Sequence, residues 1–273
     1  MIWKILLAVG RIILRRRYRI RITGLETIMK RGKQGILFMP NHPALIDPVI
    51  MVTHLSPIFH PRVLADRDRI DYPVLRSLMK YLRVIPMSDA AAYGDTVKAE
   101  VEQALLLCGE SLANNENVLL YPSGHIYRSR LESLGGNSSV ETILSRAPDA
   151  RIVLVRTRGL WGSSLSWAAG NSPNLGNAFL KGAGGLLKSF IFFAPKRHVD
   201  IEFVEPDDFP RRDGRVVMNR YMELFYNENA PYNTYVPYSI WEKGGTRTIP
   251  EPDVMRYAGS TDDISAATKK IIF

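Results

Sequence analysis

The segment Asn41-His42-Pro43-Ala44-Leu45-Ile46-Asp47 sets an imidazole and a carboxylate at the two ends of a short stretch. A histidine with one ring nitrogen held by a carboxylate can take a proton at the other, which makes a general base with its orienter. Taken alone, the spacing also fits a loop histidine and a carboxylate that merely caps a helix. A second cluster, Tyr121-Pro122-Ser123-Gly124-His125, brings a hydroxyl near an imidazole, as a serine hydrolase requires. It lacks the first glycine of G-x-S-x-G, so a nucleophile elbow is not supported, and His125 reads as a binding-loop or packing residue. Cys108 lies in the apolar run Ala104 to Cys108 and reads as core. A lone cysteine forms no internal disulfide and no cysteine-based zinc site, which suits a reducing compartment. His54, His60 and His198 show no ligand spacing. Gly182 to Ser189 approximates a phosphate loop, but Leu187 stands where the second glycine is needed.

These groups need elements to position them. A strand over 35–39 runs into His42, and a helix over 48–55 follows, with Asp47 as N-cap and Pro48 at its first position. That places His42 in a strand-to-helix loop. Further strands are expected at 18–23, 62–65, 83–86, 117–121, 151–156 and 199–204. Helices are expected at 73–81, about 91–112, 139–146 and 215–226. Strands alternating with crossover helices predict an α/β fold with a mixed sheet and functional loops at strand ends. Residues 178–195 read either as a membrane-contacting element or as a buried helical hairpin bent at Gly182, Gly184 and Gly185. Past Asn227 the chain is rich in Pro, Gly and Tyr.

The chain of 273 residues carries a formal charge of +9. Residues 1 to 22 hold Lys4, Arg11, Arg15, Arg16, Arg17, Arg19 and Arg21 with no acid, so only +2 is left elsewhere. Basicity this local argues against a nucleic-acid-binding face and for contact with anionic lipid headgroups. The apolar stretch from Ile5 to Leu14 is broken by Gly10 and Arg11 and falls well short of the ~20 residues of a membrane span. The basic cluster follows it, unlike the order of a signal peptide. An amphipathic helix lying in the interface is the expectation, with Ile2, Trp3, Leu6, Ile13 and Leu14 toward the acyl boundary. The expected organisation is a basic amphipathic membrane-surface helix over 1–22, a catalytic domain over 23–226, and a wrapping or linker tail over 227–273.

Four blocks in order resemble the glycerolipid acyltransferases typified by 1-acylglycerol-3-phosphate acyltransferases. The first is Asn41, His42 and Asp47. The second is Leu82-Arg83-Val84-Ile85-Pro86, the third runs from Tyr121-Pro122-Ser123-Gly124 to Arg128-Ser129, and the fourth is Ile152-Val153-Leu154-Val155. The third block is closest to the form found in bifunctional acyltransferase and acyl-carrier-protein synthetase chains, and the tail resembles the linker before their ligase domain. Two positions depart from the pattern. Ser123 replaces the family glutamate, and about Ser88 the arginine that often ends the second block is missing.

The resemblance implies the glycerolipid acyltransferase fold and an O-acyltransferase of phospholipid biosynthesis or remodelling. His42 would take the proton of an acceptor hydroxyl as it attacks a thioester carbonyl, with Asp47 holding the ring. Asn41, Arg83, Ser123, Gly124, Arg128, Arg156 and Arg158 are the substrate-binding candidates. The acceptor would be a lysophospholipid or 1-acylglycerol-3-phosphate. The donor would be an acyl-carrier-protein or coenzyme A thioester, so no cofactor or metal is expected. The partners expected are membrane lipids, the thioester carrier and an acyl-carrier-protein synthetase domain or protein, at the cytoplasmic face of a membrane, peripheral or monotopic. A lipid ester hydrolase and a non-catalytic membrane-surface binding protein are the alternatives.

Overall fold

The computed structural model describes residues 2–66, 73–87, 94–190 and 192–253. In chain order its main elements are α1 (Ile2–Arg17), β1 (Tyr18–Thr23), α2 (Leu25–Lys30), β2 (Ile36–Pro40), α3 (Asp47–Phe59), β3 (Arg62–Asp66), α4 (Pro73–Tyr81) and β4 (Ile85–Met87). There follow α5 (Gly94–Ala113), β5 (Val118–Leu119), α6 (Ser139–Arg146), β6 (Arg151–Arg158), α7 (Leu175–Lys188), β7 (Arg197–Val204) and α8 (Gly214–Asn227). A small antiparallel pair, β8 (Thr234–Tyr235) with β9 (Arg247–Thr248), comes last.

The described strands β1 to β7 form one mixed sheet in the order β1-β7-β6-β2-β5-β3-β4. Five of them, β6, β2, β5, β3 and β4, run parallel, while β7 pairs antiparallel with β6 and parallel with β1. The carboxyl ends of the five therefore share one end of the sheet with the amino ends of β1 and β7. Every residue of β2 is buried, the pattern of a parallel strand covered on both faces. Its alternation feeds two cores. Leu37 and Met39 pack with Leu105, Cys108, Ile143 and Met222 from α5, α6 and α8. Ile36 and Phe38 pack with Leu14, Ile28, Ile50 and Leu55 from α1, α2 and α3. Burial also pushes the Cys108 thiol up to about 12, so it behaves as a small apolar group there.

Several expectations change. The strand expected at 18–23 forms and joins the sheet beside β7, so the basic helix stops at Arg17 and does not extend to residue 22. Arg17 points inward, donating to the carbonyls of Pro195, Val236 and Pro237, and Leu14 is buried in the core. Trp3 stacks on Tyr81 instead of facing outward. Helix α7 continues through Gly182, Gly184 and Gly185 without a hairpin. Gly185 is required for packing, since a Cβ there would lie 2.3 Å from the Tyr238 carbonyl oxygen. The start expected at Ala91, the Ser88 position and residues 254–273 of the tail lie outside the described residues.

The described part of the tail folds back on the sheet end. Asn233 is fully buried and donates to the carbonyls of Ala168 and Pro250, and Trp161 donates to Glu251. Arg197, at the start of β7, donates to the carbonyls of Gly159, Trp161, Gly162 and Thr234. Its buried guanidinium thus ties the loop after β6 to the tail.

Candidate active site

Strand β2 delivers Asn41 and His42 to the carboxyl end of the sheet, and α3 begins at Asp47. Asp47 is the first helical residue and makes no helix cap, because its carboxylate is turned toward the preceding loop. Oδ2 lies 2.8 Å from His42 Nδ1. Asp47 is completely buried, and the His42 side chain is 13% exposed. An Nδ1–H donated to the carboxylate leaves the Nε2 lone pair of the neutral ring, and Nε2 has no partner among the described residues. The Tyr121 ring lies 4.3 Å from the imidazole, tilted by 34°. Burial first, and Asp47 next, hold the Tyr121 phenol well above its ordinary pKa, so it stays protonated beside the pair.

Asn41 does not face the loop. Its amide donates to the Thr157 carbonyl and accepts from the Thr157 N–H at 3.1 and 2.7 Å, which pins the end of β2 to β6. It is a buried backbone staple, not a substrate contact. The third block wraps around His42 instead. Tyr127 N–H donates to the His42 carbonyl at 3.1 Å, and the His42 N–H donates to Glu132 Oε2 at 2.8 Å. No spacing rule connects residue 132 to residue 42, so this carboxyl carries no signal in the order of residues.

The remaining candidates separate. Gly124 sits at the loop surface with φ +72°, and its N–H already donates to the Tyr121 carbonyl. That amide is not free to meet an oxyanion. The Ser123 hydroxyl is buried and donates to the His125 carbonyl, not to an imidazole nitrogen, so Ser123 and His125 form no nucleophile pair. Arg128 is exposed and stacks over Trp167 at 4.8 Å, with no carboxylate partner among the described residues.

Arg156 and Arg158 do reach the correct end of the sheet. Arg156, however, is buried between Glu202 at 2.6 Å and Glu228 at 2.5 Å, and also donates to the Phe225 carbonyl. Arg158 donates to the Glu228 carbonyl beside it. Arg156 is therefore a structural ion-pair centre. Arg83 precedes β4 at the opposite end of the sheet, where it pairs with Glu116, so it is not part of this site.

The protein-family model described as Acyltransferase matches residues 19–158, just over half of the chain. The chain belongs to the acyltransferase family. The matched span of this acyltransferase contains His42, Asp47, the third block and β6. It excludes α1, α7 and the tail. A comparison with curated proteins gave no match. Among solved structures, the chain is similar to the crystal structure of the 1-acyl-sn-glycerophosphate (LPA) acyltransferase, PlsC, from Thermotoga maritima. The TM-score is 0.49 and the identity 15%, over 78% of this chain and 71% of that one.

Proposed function

We propose that this acyltransferase moves a fatty acyl group from an acyl-carrier-protein or coenzyme A thioester to the hydroxyl of a lysophospholipid or 1-acylglycerol-3-phosphate. The observation that carries the reading is the 2.8 Å contact between His42 Nδ1 and buried Asp47 at the mouth of the sheet. His42 Nε2 takes the acceptor hydroxyl proton as its oxygen bonds to the thioester carbonyl carbon. Collapse of the tetrahedral intermediate breaks the C–S bond, and the sulfur leaves as the carrier thiol after taking a proton. Asp47 fixes the ring and stabilises the imidazolium. Thioesters are already activated, so the chemistry asks for no cofactor. Arg128, exposed and next in the chain to Tyr127, whose N–H holds the His42 carbonyl, is the cation we assign to the acceptor phosphate or the developing oxyanion, because a guanidinium can offer two parallel hydrogen bonds. The tie to acyl-carrier-protein synthetase chains rests on the third block and the tail alone.

The proposed setting is peripheral attachment to an anionic membrane. No helix among the described residues is long and apolar enough to cross one. Helix α1 packs Leu7 and Leu14 inward while Ile2, Ile5, Leu6, Val9, Ile12 and Ile13 form an exposed stripe at helical spacing. Phe190, Phe192 and Phe193, each 66 to 68% exposed, lie just before β7, whose amino end shares the sheet end with His42. Arg16 stacks over Phe192 at 4.8 Å and joins the two patches. Exposed apolar side chains with basic residues beside them fit acyl chains below and headgroups above.

Acceptor choice tests the reading. With Arg83 remote and Arg156 neutralised by two glutamates, few cations among the described residues face the loop. A phosphomonoester with nearly two charges should then gain little over a phosphodiester with one. Incubation with one acyl thioester and a panel of lyso-lipids, followed by mass spectrometry, should show a phosphodiester lysophospholipid acylated with kcat/KM within about tenfold of 1-acylglycerol-3-phosphate. A larger preference for the phosphomonoester, above ~1.4 kcal/mol, would mean that other cations grip it.

A further inference from the structure

Glu132 is only 3% exposed. A buried carboxyl normally answers a cation or a set of amides, and Glu132 has no cationic partner among the described residues. Its main chain is held from α8, where Asn227 accepts the Glu132 N–H at 2.7 Å and donates to its carbonyl at 2.8 Å. Its side chain is then aimed at the start of the His42 loop. Oε2 accepts the His42 N–H, and Oε1 is buried with no partner among the described residues. The groups facing this carboxyl are Asp47 from α3, Tyr226 from α8, and Tyr127 and Ser123 from its own loop. None of them is positively charged.

We propose that Glu132 is a positioning residue for acyl transfer, its carboxyl clamping the main-chain N–H of His42 so that Nε2 stays aimed at the acceptor hydroxyl. The proposal rests on His42 acting as the base. Tyr127 from the same loop holds the His42 carbonyl, so both main-chain polar groups of the base are fixed from residues 127 and 132. Removing the carboxyl leaves a buried N–H without an acceptor and lets the loop relax. Misplacing a reacting group by ~1 Å costs on the order of 10²-fold in rate.

The protonation state supports the same role. Burial, reinforced by Asp47 and only partly offset by the His42 and Ser133 amides and the nearby Ser123 side chain, raises Glu132 from 4.5 to about 8. The folded protein keeps a proton that the unfolded chain releases. Its contribution to stability is therefore complete below about pH 4.5 and is lost as pH rises through about 8. Ionisation would put a second buried negative charge beside Asp47 and disturb the clamp.

The test compares Glu132→Ala and Glu132→Gln with the wild-type chain in one acyl-transfer assay, reading kcat, KM and the pH profile. Gln keeps an oxygen acceptor and is neutral at every pH. The expected result is a fall in kcat of about 10²-fold for Glu132→Ala with KM within about twofold. Glu132→Gln should stay within about fivefold of wild type at pH 7. It should also lack the wild-type loss of activity above about pH 8. Near-wild-type kcat in Glu132→Ala, a Gln variant as impaired as the Ala variant, or an unchanged alkaline limb in the Gln variant would each overturn the proposal. If Glu132→Ala fails to fold, the Gln variant and its alkaline limb decide. A wild-type chain that transfers no acyl group removes the reaction reading and this inference with it, whereas transfer that survives Glu132→Ala removes the inference alone.

Discussion

Replacing His42 with Ala is expected to lower kcat for acyl transfer by about 10² to 10⁴, the range a positioned general base contributes. The fold should survive, because the ring is partly exposed and packs chiefly against Tyr121 and Asp47. Circular dichroism and thermal unfolding should stay near wild type while product formation collapses. Asp47→Asn should also be severe. An amide can still touch Nδ1, but it can present its own N–H there, favour the wrong tautomer and give no charge to the imidazolium. KM should move little in either variant, since neither residue is assigned to bind the ground state. A His42→Ala enzyme with kcat within a few-fold of wild type would remove His42 from the chemistry.

Liposome binding should respond almost as strongly to the border charges. Lys4, Arg11, Arg15 and Arg16 lie on α1 with the exposed apolar stripe. Basic residues at an anionic surface contribute ~1 kcal/mol each, so changing all of them to Gln should cost ~4 kcal/mol, or about 10³-fold in affinity. Raising salt should weaken wild-type binding through screening. Changing Phe190, Phe192 and Phe193 to Ser should weaken binding to neutral and anionic vesicles alike, because that contribution is apolar burial. Flotation assays with the two vesicle types separate these effects. Equal wild-type binding to both, insensitive to salt, would contradict electrostatic docking.

The sequence revealed most where burial is continuous or where chain neighbours act together. Strands β2 and β6 were legible because unbroken apolar runs are what parallel strands covered on both faces require. Helices α4 and α6 have the limits that apolar spacing predicts. The His42–Asp47 pair was visible because a strand-to-helix loop joins its members. Partnerships across long sequence separations were not. Arg156 and Arg158 looked like headgroup ligands until β7 and the end of α8 brought Glu202 and Glu228 against them. Asn41 looked like a loop residue until β6 supplied a backbone amide and carbonyl. Gly185 suggested a bend, whereas the helix needs it for close approach to Tyr238. Glu132 owes its role to Asn227, at the end of a helix far along the chain.

Whether the chemistry is direct transfer is tested most directly by measuring thiol release and acylated product together, with and without acceptor, in the wild type and in Ser123→Ala. Direct attack predicts one thiol per acylated acceptor, negligible thiol release without acceptor, no covalent acyl-protein, and substantial activity in Ser123→Ala. Acceptor-independent thiol release with free fatty acid, or an acyl adduct on Ser123 by intact-protein mass spectrometry, would contradict the account and assign the site to hydrolysis through a serine ester.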